Sequence, residues 1–188
     1  MSSHPADRSL GADLRALRRV RGLTLQALAA HMGRSVGWLS QVERDISAPS
    51  ITELRAFADF YAVPLSMFFG TADAPAHEAG RIVRRGARRM ISDPGTGLHE
   101  ELLSPDLTDT FEVILSTFAP GARRADRHAR PTTEIVHLVR GRLVVWLNDD
   151  RFEIAPGDSF RTRGEALRWE NPHDEPAVAV WVISPPVY

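Results

Sequence analysis

Apolar residues recur at helical spacing along the first third of the chain. Leu10, Leu14, Leu17 and Val20 form one stripe, interleaved with Arg15, Arg18, Arg19 and Arg21 and closed by Gly22. Thr24 then offers an N-cap, Leu25, Leu28, Ala29 and Met32 follow at i, i+3, i+4 and i+7, and Gly33 supplies the left-handed backbone that a sharp exit needs. Ser35 can cap a third helix in which Leu39, Val42 and Ile46 share one side while Gly37, Ser40, Gln41 and Arg44 occupy the other. Asp45, Ser47 and Pro49 interrupt the pattern, Ser50 with Glu53 spells a capping box, and Leu54, Phe57, Ala58 and Tyr61 make a fourth stripe. The segment PLSMFFG, opening at Pro64 and ending at Gly70, predicts a fifth helix. Five short helices over residues 9–70 predict a compact all-helical domain.

Residues 1–8 read as a polar, flexible tail, and residues 71–80, TADAPAHEAG, as a linker without apolar periodicity. From Arg81 the period changes. Short β-type runs follow one another, split by Gly, Pro and Asp: RIVRRGARRMI, GLHEELL, FEVILSTF, EIVHLVRG, LVVWLN, FEIAP, LRWEN and AVAVWVI. Residues 81–188 therefore predict an all-β sandwich or barrel. The basic cluster Arg84, Arg85, Arg88 and Arg89 could form a nucleic-acid surface, but the acids around it favour an ordinary exposed strand.

Composition refines this outline. The formal net charge of −1 argues against a wholly basic nucleic-acid binder. Residues 1–70 nevertheless hold 8 Arg against 6 acids, whereas residues 71–188 hold 15 against 18, so the front half leans basic. Every basic side chain is Arg in both halves alike, which reads as genomic bias. The absence of cysteine excludes disulfides, thiolate metal sites and cysteine nucleophiles. No apolar signal-peptide core and no stretch of about 20 apolar residues is present, so the expected setting is the cytoplasm, away from membranes.

The outward side of the third helix presents a small residue for close approach, a hydroxyl, an amide able to pair with an adenine edge, and a guanidinium suited to phosphate. Taken alone, it could equally be a solvated amphipathic face. The segment GLTLQALAAHMGRSVGWLSQVERDISAPSITEL, however, resembles the phage-repressor-like, or Xre-type, helix-turn-helix domain, with its G-x-T, L-A, G, L-S-x-x-E and P-S-x-x-x-L landmarks in order. The resemblance implies a third helix in the major groove, with Ser35, Val36, Gly37, Ser40 and Gln41 near base edges, Arg34 and Arg44 near the backbone, and Glu43 tying the helix to its domain. Val36 and Gly37 stand where relatives often place longer polar residues, which implies more apolar or shape-based readout.

In the β half, Pro120-Gly121, Glu134 with Gly141, Pro156-Gly157-Asp158 and Asn171-Pro172 resemble the two signature motifs of the cupins, small double-stranded β-helix jelly rolls. Many cupins hold a divalent metal with three histidines and a glutamate. Here those positions are His128, Arg130, Glu134 and Leu167, so two donors are missing and a guanidinium would repel a cation; no metal and no cofactor are expected. His137, three residues from Glu134, should point to the opposite sheet face. His128, Arg130 and Glu134 share strand parity, as do Leu167, Trp169 and Asn171. His128, Arg130, Glu134, Leu167 and Trp169 are therefore the candidate effector-binding residues, suited to a small carboxylate. The competing reading is a solid barrel with Arg130 and Glu134 as a structural ion pair.

The fold expected is thus multidomain, an all-α five-helix helix-turn-helix domain followed by an all-β cupin. The combination resembles bacterial transcriptional regulators that are not enzymes: a homodimer on a double-stranded DNA operator, with a small-molecule effector shifting DNA affinity. A cupin-type isomerase or dioxygenase with an appended helix-turn-helix is the alternative, and a front domain used for protein interaction is a third.

Overall fold

A computed structural model describes residues 9–63, 65–68, 77–78, 80–91, 97–105, 107 and 109–186, without the side chains of Ser66, Arg127 and His128. The expected tail, and all of the expected linker except His77, Glu78 and Gly80, lie outside the described residues. The chain divides into two compact units, one comprising Met1–Arg89, Ser104–Asp109 and Tyr188, the other Met90–Leu103 and Thr110–Val187.

The first unit contains α1 (Leu10–Val20), α2 (Leu25–His31), α3 (Val36–Val42) and α4 (Ile51–Tyr61). Each begins where a side-chain oxygen satisfies an orphan helical N–H: Ser9, Thr24, Ser35 and Ser50 accept from Ala12, Ala27, Trp38 and Glu53. Ser50 and Glu53 complete the expected capping box. Leu14, Leu17, Leu28, Leu39, Phe57 and Tyr61 are fully buried, and such side chains contribute about 1.5–3 kcal/mol each when taken out of water.

Two expectations fail here. Where a fifth helix was expected, the described residues form a four-residue 3-10 turn, Leu65–Phe68, so among the described residues the domain has four α-helices. A segment this short closes i→i+3 bonds and has no room for an α-helical ladder, although Met67 and Phe68 still pack inward. Ile46 does not join Leu39 and Val42 in the core but is 63% exposed. The helix has already ended at the Glu43 cap, and Asp45 at φ 57° redirects the chain.

The segment read as a first strand is also different. Only Arg89–Met90 of this segment forms a strand (β1), after a 3-10 turn over Arg85–Ala87. Its arginines do not line an exposed strand: Arg84 pairs with the buried Glu78 through Nε at 3.0 Å, and Arg89 is buried against Asp13 within the first unit.

The remaining strands are β2 (Leu98–Leu102), β3 (Glu112–Phe118), β4 (Arg123–His128), β5 (Thr133–Arg140), β6 (Leu143–Leu147), β7 (Asp150–Ile154), β8 (Ser159–Arg163), β9 (Leu167–Glu170) and β10 (Ala177–Ser184). They form a six-stranded sheet, β1-β2-β3-β10-β5-β8, and a four-stranded sheet, β4-β9-β6-β7. Burial alternates along β3 and β10 and along β5 as far as Val139, so each has one inward face. Phe118 of the first sheet meets Trp169 of the second edge-on at 4.7 Å, which places core between the two sheets. Gly141 is required by sterics: it sits at φ 74°, and a Cβ there would lie 2.5 Å from the Pro176 carbonyl oxygen.

Candidate nucleic-acid interface and effector site

The outer surface of α3 is built from below. Leu39 and Val42 anchor it, and Glu43 at its cap is gripped by Arg18 of α1 in a two-pronged pair, Nε to Oε1 at 2.6 Å and Nη2 to Oε2 at 2.9 Å. The same guanidinium donates to the Leu23 carbonyl at 2.7 Å, so one arginine joins α1, the approach to α2 and the end of α3. A second tether lies one residue-pair away. Asp45 accepts from the Ser9 hydroxyl and from the Gly11 N–H at 2.9 Å, which locks the exit of α3 onto the start of α1.

With its underside fixed in this way, α3 exposes Ser35, Val36, Gly37 and Gln41, with Arg44 exposed just beyond its end and Ser40 half-buried. Val36 is 39% exposed and Gly37 has only the Ser35 hydroxyl near its missing Cβ, so a flat surface opens beside the longer side chains. Ser47 donates to Gln41 Oε1 at 3.1 Å and thereby orients the amide. Arg44 folds back to donate from Nε to the Ser40 carbonyl at 3.0 Å. Arg34 is held between Glu53 and the ring of Trp38, 5.3 Å from its centroid, while Trp38 stacks on Phe57. Sequence reasoning missed Trp38 and Ser47. The signal for Trp38 was an aromatic at the boundary between the buried and exposed sides of the helix.

The effector candidates are distributed differently from expectation. His128 ends β4, Arg130 lies in the connection after it, and Glu134 is the second residue of β5, so a single strand parity does not run through all three. Strand parity is lost at the irregular backbone of residues 129–132. Leu167 and Trp169 do share a face of β9, and Leu167 pairs in register with His128, whose side chain is outside the described residues. Asn171 is structural: fully buried, its amide donates to the carbonyls of Phe118 at 3.0 Å and Glu175 at 2.8 Å. His137 is exposed on the opposite face from buried Glu134, as parity requires, and its Nδ1 lies 2.9 Å from the Ser159 hydroxyl.

Glu134 is nonetheless part of a polar interior. Its Oε1 accepts from Thr132 at 2.8 Å, and across the sheet it lines up with Thr162 on one side and with Ile183 and Glu112 on the other, all buried. Glu100 of β2 faces Ser116 of β3, whose hydroxyl donates to it at 3.0 Å. Burial pushes the Glu100 carboxyl up, against the Ser116 hydrogen bond and the charges of Arg124 and Arg130, while Glu134 adds to the rise. Glu100, Ser116 and Arg124 were not singled out from the sequence.

This donor set does not suit the metal held by many cupins. Two of the four ligand positions are Arg130 and Leu167, neither a donor, and among the described residues no three His, Asp or Glu side chains converge on one point. Among the described residues no helix is long and apolar enough to cross a membrane.

Comparison with known proteins agrees with this architecture. Residues 9–67 match the model of a helix-turn-helix domain and residues 114–183 that of a cupin domain. The HTH-type transcriptional regulator DdrOP3 of Deinococcus deserti is 30% identical over 101 residues, covering 54% of this chain and 76% of that protein. Among solved structures, an HTH_3 family transcriptional regulator from Vibrio cholerae is 24% identical, with 94% of this chain and 95% of that chain covered and a TM-score of 0.46. The cupin domain of an XRE family transcriptional regulator from Enterobacter cloacae is 22% identical, covers 48% of this chain and 98% of its own, and has a TM-score of 0.43. The chain, with a helix-turn-helix region in front and a cupin behind it, belongs to the DNA-binding helix-turn-helix transcriptional regulators.

Proposed function

We propose that this regulator reads its operator with α3, senses a small molecule inside its cupin, and works as a homodimer without catalysing a reaction. The observation that carries the reading is the contrast between the two sides of α3. A doubly tethered, buried underside opposes an open face made of Ser35, Val36, Gly37, Ser40 and Gln41. In this reading those five approach base edges, Gln41 with its amide oriented by Ser47, while Arg34 and Arg44 meet phosphates. The flatness around Val36 and Gly37 favours methyl contacts and shape readout over a dense hydrogen-bond set.

Replacing Arg44 by Ala is expected to weaken binding to specific and random duplexes alike, whereas Gln41→Ala chiefly blurs preference at one base pair, by about 1–3 kcal/mol. Competition titrations with single-base variants of the operator check this; equal losses on specific and random DNA for both variants would contradict the roles assigned.

In this reading a small carboxylate effector binds in the barrel and directs its carboxylate at Arg130, and His128, Arg130, Glu134, Leu167 and Trp169 are the residues proposed to contact it. An effector that prefers one arrangement of the paired reading heads changes DNA affinity by its differential binding, about 1–3 kcal/mol in typical cases. Arg130→Ala should abolish the effector response and leave effector-free operator binding unchanged, as read by fluorescence anisotropy on labelled operator. A response that persists removes Arg130 from the site.

Pairing of chains is supported by the outer face of the six-stranded sheet. Ile135 and Val182 are register partners, 51% and 39% exposed, half-buried Val113 adjoins Val182, and Val139 on the same side of β5 is 52% exposed. A second copy covering this strip would give the symmetric pair that half-sites about one helical turn apart require. Ile135→Arg combined with Val182→Arg is expected to yield monomers by light scattering; an unchanged mass would place the dimer contact elsewhere.

A further inference from the structure

Gly33 at φ 60° turns the chain out of α2, and the Arg34 N–H still donates to the Ala29 carbonyl at 2.9 Å. The backbone of Arg34 is thereby fixed one residue before the Ser35 cap of α3. Its side chain is held as well, from two sides. Nη2 meets Glu53 Oε1 at 2.5 Å, and the guanidinium carbon lies over the ring of Trp38, four residues along and 5.3 Å from its centroid. An unrestrained surface arginine samples many rotamers and loses them when it binds.

Both holding groups are themselves anchored. Glu53 is the third residue of α4, and its Oε2 accepts from the Ser50 N–H at 2.6 Å and from the Ser50 hydroxyl at 2.8 Å, which leaves Oε1 for Arg34. Chiefly the Ser50 N–H, then the Ser50 hydroxyl and Arg34, hold the Glu53 carboxyl below its usual range against its burial, so the pair is charged at neutral pH. Trp38 stacks on Phe57, which is fully buried and stacks in turn on Tyr61. A chain of supports thus runs from the core to a guanidinium on the surface. The Arg34 side chain is 50% exposed and that of Glu53 14%, so solvent meets mainly the cation of this pair. A guanidinium has five N–H donors, more than one carboxylate oxygen can take, and the remainder can serve a ligand.

We propose that Glu53 and Trp38 are positioning residues for DNA binding, which together hold the Arg34 guanidinium in place as a preformed clamp for one DNA phosphate. The inference rests on the reading of Arg34 as a phosphate contact and adds the two residues that make that contact ready. Glu53 and Trp38 act only through Arg34. Fixing the cation beforehand removes the ordering cost that a mobile arginine meets on the duplex. The sign of the Glu53 effect separates this from charge alone. Removing a carboxylate near a polyanion tightens binding if only net charge matters; a preformed clamp predicts the opposite.

The test is a double-mutant cycle in equilibrium binding of the full chain to a labelled random duplex, read by fluorescence anisotropy from low salt upward. Arg34→Gln should reduce the slope of log affinity against log salt by about one, the loss of one phosphate contact. Glu53→Gln keeps a side chain able to complete the capping box and should weaken binding about threefold to tenfold at fixed salt. Trp38→Leu keeps an apolar contact with Phe57, loses the ring face and should do the same. In an Arg34→Gln background neither substitution should weaken binding further, since no guanidinium is left to position. A purely structural role would give the same loss in both backgrounds, with a matching loss of stability in urea. If Trp38→Leu is unfolded, the Glu53→Gln cycle decides alone. Binding by Glu53→Gln as tight as that of the parent or tighter, or a loss that persists undiminished without Arg34, would overturn the inference. The two readings fail separately: an unchanged salt slope in Arg34→Gln would remove Arg34 from the phosphates, whereas a reduced slope with no loss in Glu53→Gln would keep the phosphate contact and sink the positioning role.

Discussion

Glu43→Ala is expected to lower the stability of the helical domain by about 3 kcal/mol and to weaken binding to every duplex, specific or not. The Glu43 side chain is 4% exposed and that of Arg18 11%, so truncation strands a guanidinium in a site that water barely reaches. The loss has two parts. Two charge-assisted hydrogen bonds vanish, at 2.6 and 2.9 Å, and α3 is freed at the cap from which its orientation is set. Replacing both partners together, Arg18→Met with Glu43→Leu, should recover most of the stability, because no buried charge is then left alone. Urea unfolding measures the first effect and DNA titration the second. A loss below about 0.5 kcal/mol would show the pair to be no stronger than an exposed one.

Gly11→Ala should be nearly as damaging, for a steric reason. A Cβ on Gly11 would stand 2.3 Å from the Val42 carbonyl oxygen and 2.9 Å from both carboxylate oxygens of Asp45. The first contact is with backbone and cannot swing aside, so α1 and the end of α3 must separate. Overpacking of this kind costs about 1–3 kcal/mol, and the Gly11 N–H to Asp45 bond stretches with it. The loss should exceed what helix propensity predicts, since alanine is otherwise the better helix former. Thermal denaturation checks the point: an alanine variant as stable as the parent would mean that the two helices approach less closely.

Both variants act on residues whose roles the sequence shows unequally. The caps at Ser9, Thr24, Ser35 and Ser50 were legible because capping is local, three or four residues at a time. So was the strand character of β3, β5 and β10, whose alternation is regular. The contact of Gly11 with Val42 was not, because nothing within either segment records the approach of the other. Strands β4 and β8 escaped for a different reason. RRADRH and SFRTR are polar, and as extended segments they are held by register with β9 and β5 more than by apolar periodicity.

The polar interior of the cupin shows the same division. Arg130 and Glu134 were identifiable from the cupin motif, while Glu100 sits in LHEEL, which by composition is a surface strand. Its inward position follows from pairing with Ser116, and only the fold makes that pairing. A partial signal existed: in FEVILSTF the inward parity that contains Ile114 and Phe118 also contains Glu112 and Ser116. Polar residues on the buried parity of a strand mark a site or an ion pair more often than an accident.

The central claim is that the open side of α3 meets base pairs. Equilibrium binding of the full chain to duplexes from its own promoter neighbourhood, against a random duplex of equal length and across a range of salt, tests it most directly. The account predicts that one promoter duplex is preferred, that both affinities fall linearly with log salt as phosphate contacts are lost, and that Gln41→Ala narrows the gap between them. Equal affinity for promoter and random DNA at every salt concentration, with and without candidate small-molecule effectors, would contradict it.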